Sequence, residues 1–177
     1  ERNRKKIIGY LASIAPDIED ALADICSLFS YSHYITESER LSIEEKYFDL
    51  FKKVAVIIKS SVVDEFPHKE SIQRFYKAMS DTITHKKTNN KHFIDNQTVN
   101  NAHYFDTILA YPLDQQQREA IVSLEDNVLV ISSAGSGKTL TTVGKVRYLI
   151  DVQNVPAEKI LLITFTRKAA ESLSEHL

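Results

Sequence analysis

One cysteine, Cys26, occurs in 177 residues. An internal disulfide and a cysteine metal cluster are therefore both excluded. Cys26 stands among Leu22, Ile25 and Phe29, where a small buried apolar residue is expected. No apolar run approaches the roughly 20 residues that span a membrane. The basic opening Glu1-Arg2-Asn3-Arg4-Lys5-Lys6 is not followed by a signal-like apolar core, so an intracellular, cytoplasmic protein is expected. The six histidines (33, 68, 85, 92, 103 and 176) show no metal-ligand spacing and read as surface or packing residues. Neither sign of charge dominates: 22 basic residues face 24 acidic ones, a net charge of −2. The balance is the same on both sides of Leu109, with 15 basic and 16 acidic residues up to it and 7 and 8 beyond. No global positive field advertises nucleic acid, so any such binding must depend on local geometry. Glycine is scarce too, and only Gly9 precedes the turn at residues 135–137. Strands and tight turns should be few in that first stretch.

What is present is an ordinary globular composition, 43% hydrophobic and 26% charged. Residues 1–108 read as helices. Ile18, Ala21, Leu22, Ile25, Leu28 and Phe29 fall at helical spacing behind a Pro16-Asp17 start signal. Ser42 and Glu45 fit a capping box. The helix expected to follow, through Val62, is apolar over a wide face (Tyr47, Phe48, Phe51, Val54, Ala55, Ile57, Ile58), as a central bundle helix would be. Further stripes run through Ile72, Phe75, Tyr76, Met79 and Ile83, and through Ile94, Thr98, Ala102, Phe105 and Leu109. The polar run Lys86-Lys87-Thr88-Asn89-Asn90 should break the chain between them.

From Leu113 the pattern changes. A short helix from Asp114 to about Leu124 leads into Val128-Leu129-Val130-Ile131, a buried-strand signature. A glycine turn follows, then a helix from Thr139 to Ile150, a break at Val155-Pro156, a second apolar run from Ile160 to Phe165, and a helix from Arg167 to Leu177. Strand, helix, strand, helix is the start of a parallel α/β sheet, so the fold class expected is α/β.

The turn is Ser132-Ser133-Ala134-Gly135-Ser136-Gly137-Lys138-Thr139. Glycines at 135 and 137 permit a chain to wrap a phosphate with its backbone N–H groups pointing inward. The helix beginning near Lys138 offers its positive end to the anion. Lys138 can reach the β- and γ-phosphates of ATP, and the Thr139 hydroxyl can ligate Mg²⁺. The alternative is a strand-to-helix turn with an incidental Lys-Thr. Ser132 stands where the usual G-x-x-x-x-G-K-[ST] pattern has its first glycine.

Three blocks, in order, carry a family resemblance: Pro112-Leu113-Asp114-Gln115-Gln116-Gln117-Arg118-Glu119-Ala120, the A-x-x-G-x-G-K-T turn, and Leu162-Ile163-Thr164-Phe165-Thr166-Arg167-Lys168-Ala169-Ala170. From about residue 104, including the approach Phe105-Asp106-Thr107, the chain resembles the start of a superfamily 1 DNA helicase of the UvrD/Rep type, helicase IV-like members above all. The blocks are similar to that family's Q motif, P-loop and motif Ia. The resemblance implies a RecA-like sheet with flanking helices over residues 109–177, behind a helical accessory region at 1–108. It implies that Gln117 reads adenine, whereas locally Gln117 is also N3 of a capping box with Asp114. It implies that Thr164, Phe165, Thr166 and Arg167 face single-stranded DNA, Phe165 stacking on a base and Arg167 neutralising a phosphate. Phe165 could instead be buried at the strand end. Leu140 departs from the arginine often found at its position, which leaves a nucleotide contact there in doubt.

Val62-Val63-Asp64-Glu65-Phe66 looks like the Mg²⁺-binding motif II of such helicases, but it precedes the glycine turn, ends a helical pattern and is followed by Pro67. With it set aside, nothing after Lys138 supplies a catalytic carboxylate pair, and the chain is expected to be the N-terminal portion of a longer helicase. The function expected is ATP-driven movement on single-stranded or partly duplex DNA. The rival is a nucleotide-gated regulatory module without unwinding, and a kinase is disfavoured because the Gln117 block has no place in it. The amino-terminal helices could dock a protein partner, bind nucleic acid through Arg2–Lys6 or Lys86–Lys91, or simply brace the motor.

Overall fold

A computed structural model of the chain describes residues 1–176. The chain forms two compact units, Glu1–Phe93 and Ile94–Leu177. Nine α-helices are described: α1 (Arg2–Leu28), α2 (Glu37–Ile57), α3 (Ser61–Asp64), α4 (Lys69–Ser80), α5 (Thr82–Asn100), α6 (Ala102–Thr107), α7 (Gln115–Val122), α8 (Lys138–Asp151) and α9 (Arg167–His176).

The first unit is built around α1 and α4. Leu11, Ile14, Ile18, Ala21, Leu22 and Ile25 make one stripe of α1, packed against Ile72, Phe75 and Met79 of α4 and against Val54, Val63 and Phe66. Full burial of a side chain such as Phe75 contributes about 1.5–3 kcal/mol. Pro16 does not start this helix but lies inside it. Its exposed ring sits away from the stripe, and the continuous apolar contact on both sides of it carries α1 through the missing hydrogen bond. Cys26 is exposed, one position past Ile25 and off the stripe.

Helix α2 begins earlier than the Ser42–Glu45 pattern predicted. Thr36 is its cap: the Glu39 amide donates to Thr36 Oγ1 at 3.2 Å, and the Thr36 amide donates to Glu39 Oε2 at 2.8 Å. Nor is α2 central, since only Arg40 and Val54 on it are buried and Phe48 is 54% exposed. Its aromatic residues spread too widely around the helix for one partner to cover.

The predicted break at 86–90 is absent, and α5 runs through it. Asn89 and Asn90 are buried because each amide both donates and accepts. The Tyr31 and Ile35 amides donate to Asn89 Oδ1 and Asn90 Oδ1, each at 2.8 Å. Asn89 and Asn90 donate in return to the His33 and Ile35 carbonyls at 2.9 and 2.8 Å. The loop after α1 is thereby held so firmly that Tyr31 keeps a left-handed φ of 62°.

Beside this clamp, buried Arg40 donates to Glu37 Oε2 at 3.0 Å and to Thr82 Oγ1 at 3.1 Å, and it also pairs with Glu44. Lys86 donates to Glu37 at 2.9 Å.

In the second unit Phe105, Leu113, Ile121, Val122 and Tyr148 form the core. The expected parallel sheet is not there: no strand occurs among the described residues. Residues 128–131 and 160–165 are irregular and join in no ladder, and Leu129 and Ile131 are more than four-fifths exposed. The apolar runs had predicted buried strands. Burial and backbone pairing both require neighbours, and two short segments alone leave every edge unsatisfied.

Hydrogen bonds from Arg40, then from Lys86, hold the Glu37 carboxyl down at about 2, from an ordinary value of 4.5. The stability this carboxylate contributes is complete above about pH 4.5 and is lost as pH falls through about 2. A Glu37→Gln variant should therefore melt below the parent protein at pH 6, and the gap in Tm should close by pH 2 in thermal unfolding followed by circular dichroism.

Candidate functional site

Helix α7 starts with the capping box that the sequence predicted. The Gln117 amide donates to Asp114 Oδ1 at 2.8 Å, and the Asp114 amide donates to Gln117 Oε1 at 2.9 Å. The other end of the Gln117 side chain is also engaged, since its Nε2 donates to the Ser136 carbonyl at 3.3 Å. Arg118, one residue on, donates to the Leu113 carbonyl at 2.7 Å and to Asp106 at 2.5 Å. The segment from Phe105 to Ala120 is thus tied together by its own side chains.

The turn at residues 132–139 closes on itself. Ser136 Oγ donates to the Ser133 carbonyl at 2.9 Å, and Lys138 Nζ donates to the Ser133 and Ser132 carbonyls at 2.6 and 3.2 Å. Ala134 sits between them, before Gly135. Gly135 and Gly137 have φ of 78° and 82°, a region that side-chain-bearing residues rarely adopt. A Cβ on Gly137 would lie 2.6 Å from Gln117 Nε2, so this glycine also makes room for the glutamine. Gly137 is the N-cap of α8 and provides no side-chain acceptor. The first N–H groups of a 14-residue helix therefore lie in the turn uncapped, with exposed Thr139 among them. Such a terminus fits an anion, and the donor set fits phosphate oxygens.

The second predicted cluster is brought only partly to this turn. Lys138, Thr139 and Thr142 line one open groove with Thr164, Thr166 and Lys168. Thr164 Oγ1 donates to the Thr166 carbonyl at 3.0 Å, and Thr166 Oγ1 accepts from the Ala169 amide at 3.2 Å, which starts α9. Arg167 is the first residue of that helix. Phe165 is fully exposed and lies outside the groove, so it is not a buried strand end. Gln117 lines a separate groove of about 430 Å³ with Asp114, Ser132, Ser136 and Thr141. Asp64 and Glu65 belong to the first unit, where Glu65 caps α3 and pairs with Arg4.

Lys145 was missed by the reading of the sequence. Its Nζ donates at 2.6 Å to both the Ile121 and the Ser123 carbonyls. Burial pushes the amine down to about 8. The available signal was a cation between inward-facing Val143 and Val146.

With this geometry in view, the comparisons are specific. The model of the UvrD/REP helicase N-terminal domain matches residues 113–177. Over that segment the chain is similar to the UvrD/REP helicase N-terminal family. The chain is 42% identical over 65 residues to a probable DNA helicase II homolog of Mycoplasma capricolum, covering 37% of this chain and 9% of the relative. It is 29% identical over 116 residues to DNA helicase IV of Escherichia coli, 65% of this chain and 17% of the relative, so that similarity extends well outside the UvrD/REP segment. It is 37% identical to the ATP-dependent DNA helicase PcrA of Staphylococcus aureus over 37% of this chain and 9% of the relative. The chain spans less than a fifth of the length of these relatives. No solved structure matches it. Among the described residues no helix is long and apolar enough to cross a membrane, and no group of three or more metal-ligating side chains occurs.

Gly137→Ala should strain the left-handed N-cap by about 1–2 kcal/mol and drive the Gln117 amide off Ser136. Thermal unfolding and the side-chain amide resonance of Gln117 would register the two effects.

Proposed function

We propose that this chain is the nucleotide-binding opening segment of a DNA helicase that couples ATP hydrolysis to movement on single-stranded DNA and to unwinding. One observation carries the reading: an uncapped 14-residue helix follows a turn with two left-handed glycines, whose Ser136 carbonyl accepts from Gln117, inside a UvrD/REP segment. In this reading residues 132–139 are a P-loop. The backbone of Ser132, Ser133, Ala134, Gly135, Ser136 and Gly137 and the Lys138 ammonium hold the phosphates of ATP. Lys138 would give up the Ser132 and Ser133 carbonyls for the more strongly attracting phosphate oxygens. Thr139, exposed at the start of α8, would hold Mg²⁺, which would supply positive charge beside the phosphates.

Gln117 contacts adenine with the amide that now bridges Asp114 and Ser136, which makes base recognition and turn geometry parts of one unit. Thr164 and Thr166, beside the groove they share with the turn, and Arg167 at the start of α9 bind the DNA backbone, and Phe165 offers its exposed ring to a base. Hydrolysis requires a carboxylate to orient water, and no Asp-Glu pair on an apolar run follows Lys138 in this sequence. The expected activity of this chain alone is accordingly binding, with turnover a property of the whole helicase in the cytoplasm. The exposed apolar residues Leu41, Phe48 and Val56 make α2 the place where a protein partner would dock.

Lys138→Ala should weaken Mg·ATP binding at least about a hundredfold, as titration calorimetry on this chain would read. Affinity equal to the parent's would sink the phosphate assignment. Phe165→Ala should weaken oligo(dT) binding by about tenfold in fluorescence anisotropy, with Mg·ATP affinity unchanged. An unaltered DNA affinity would leave Phe165 without a role in DNA contact.

A further inference from the structure

Helix α7 is only eight residues long, too short to hold itself in place, so its position is dictated by what it is tied to. Arg118 holds it to Asp106 and to the Leu113 carbonyl, and three further ties go to α8 or to the turn that starts α8. At the amino end the Gln117 amide reaches the Ser136 carbonyl at 3.3 Å, a single and rather long bond. Gly144 makes room for the Ile121 side chain of α7 and for Leu113 just before it, since a Cβ there would lie 2.7 Å from Ile121 Cδ1 and 3.3 Å from Leu113 Cδ1. At the carboxyl end Lys145 Nζ donates at 2.6 Å to the Ile121 carbonyl and at 2.6 Å to that of Ser123, the C-cap.

These carbonyls belong to the group that a helix end leaves without intrahelical partners, and they carry the negative end of its dipole. A donor reaching them from α8 is therefore both the strongest of the three ties and a complement to the local charge. Its bonds run to two backbone oxygens, which fix the helix itself rather than one mobile side chain.

We infer that Lys145 is a positioning residue for nucleotide selectivity, fixing α7 on α8 so that Gln117 stands at a set distance from the phosphate turn. The inference rests on the reading of Gln117 as the adenine contact. Released at its carboxyl end, α7 keeps its Arg118 bonds to Asp106 and Leu113 but can shift on α8, and the single Gln117 bond loosens while the turn stays closed by Ser136 and Lys138. Adenine binding should then fall without a loss of phosphate binding.

The test compares Mg·ATP with magnesium tripolyphosphate, the same charge without a base, by titration calorimetry on the 177-residue chain. Lys145→Met keeps the stem and removes the donors. It should lower ATP affinity by about tenfold and leave tripolyphosphate within about twofold. Gln117→Ala should lower the same ratio, and the double variant should fall no further than the lower single one, because both act through one contact. If Lys145→Met does not fold, Lys145→Gln, with a shorter reach and one amide donor, takes its place with an expected loss of about threefold. A folded Lys145 variant with the parent's ratio, beside a Gln117→Ala variant that has lost it, overturns the inference alone. A parallel loss of ATP and tripolyphosphate overturns it too, because Lys145 would then merely support the fold. A Gln117→Ala variant with an unchanged ratio overturns the adenine reading, and the inference falls with it.

Discussion

The first backbone donors of α8 have no side chain to accept them, and the geometry of the second unit follows from that condition. Gly137 caps the helix without an acceptor, and ahead of it the turn closes on itself, the Ser132 and Ser133 carbonyls accepting from the Lys138 ammonium. The curl requires positive φ at Gly135 and Gly137. The missing Cβ of Gly137 in turn leaves room for Gln117, whose other contacts are dictated by the cap of α7. A demand at one helix end thus propagates through a glycine to the start of a second helix. A side-chain cap at residue 137 would satisfy those donors locally and need a Cβ where Gln117 now sits.

How much of this could be read from residues alone varies with how local the cause is. The Asp114–Gln117 box and the left-handed glycines are set within a few positions, and the sequence displays them directly. The start of α2 was misplaced because two Ser/Thr-x-x-Glu patterns lie within ten residues, at Thr36–Glu39 and Ser42–Glu45. Only the first precedes the buried Arg40 that anchors the helix. Pro16 and the Asn89-Asn90 pair carry strong local signals for a boundary, and in both cases distant partners overrule them. The parallel sheet failed for the opposite reason. Valine, leucine and isoleucine in a row report a preference for burial, but a strand also needs a ladder, and neither 128–131 nor 160–165 has one. Lys145 was invisible because its partners are backbone oxygens, which no residue name reveals.

The first unit is held by a different balance. Its apolar core runs between α1 and α4, while the placement of α2 depends on charge and amide chemistry around Arg40 and Asn90. Burying a guanidinium is favourable only with its donors engaged, and Glu37, Glu44 and Thr82 together engage them. The arrangement specifies one register of α2 more sharply than apolar packing would, since a shift of one turn would strand the cation. Apolar contact adds to this through Val54 and the half-buried Ile43, Tyr47, Leu50 and Phe51, while Phe48 stays exposed.

The asparagine clamp also bears on the order in which this unit assembles. Each of its bonds joins residues 55 to 58 positions apart, so the loop after α1 cannot acquire its native shape while α5 is still absent. On a ribosome, α1 and α2 would emerge with their connection unfixed, and the strained Tyr31 backbone would be adopted only once the asparagines arrive. Ordering this loop therefore waits on α5, and the entropy of closing so long a stretch of chain is offset by all four bonds together.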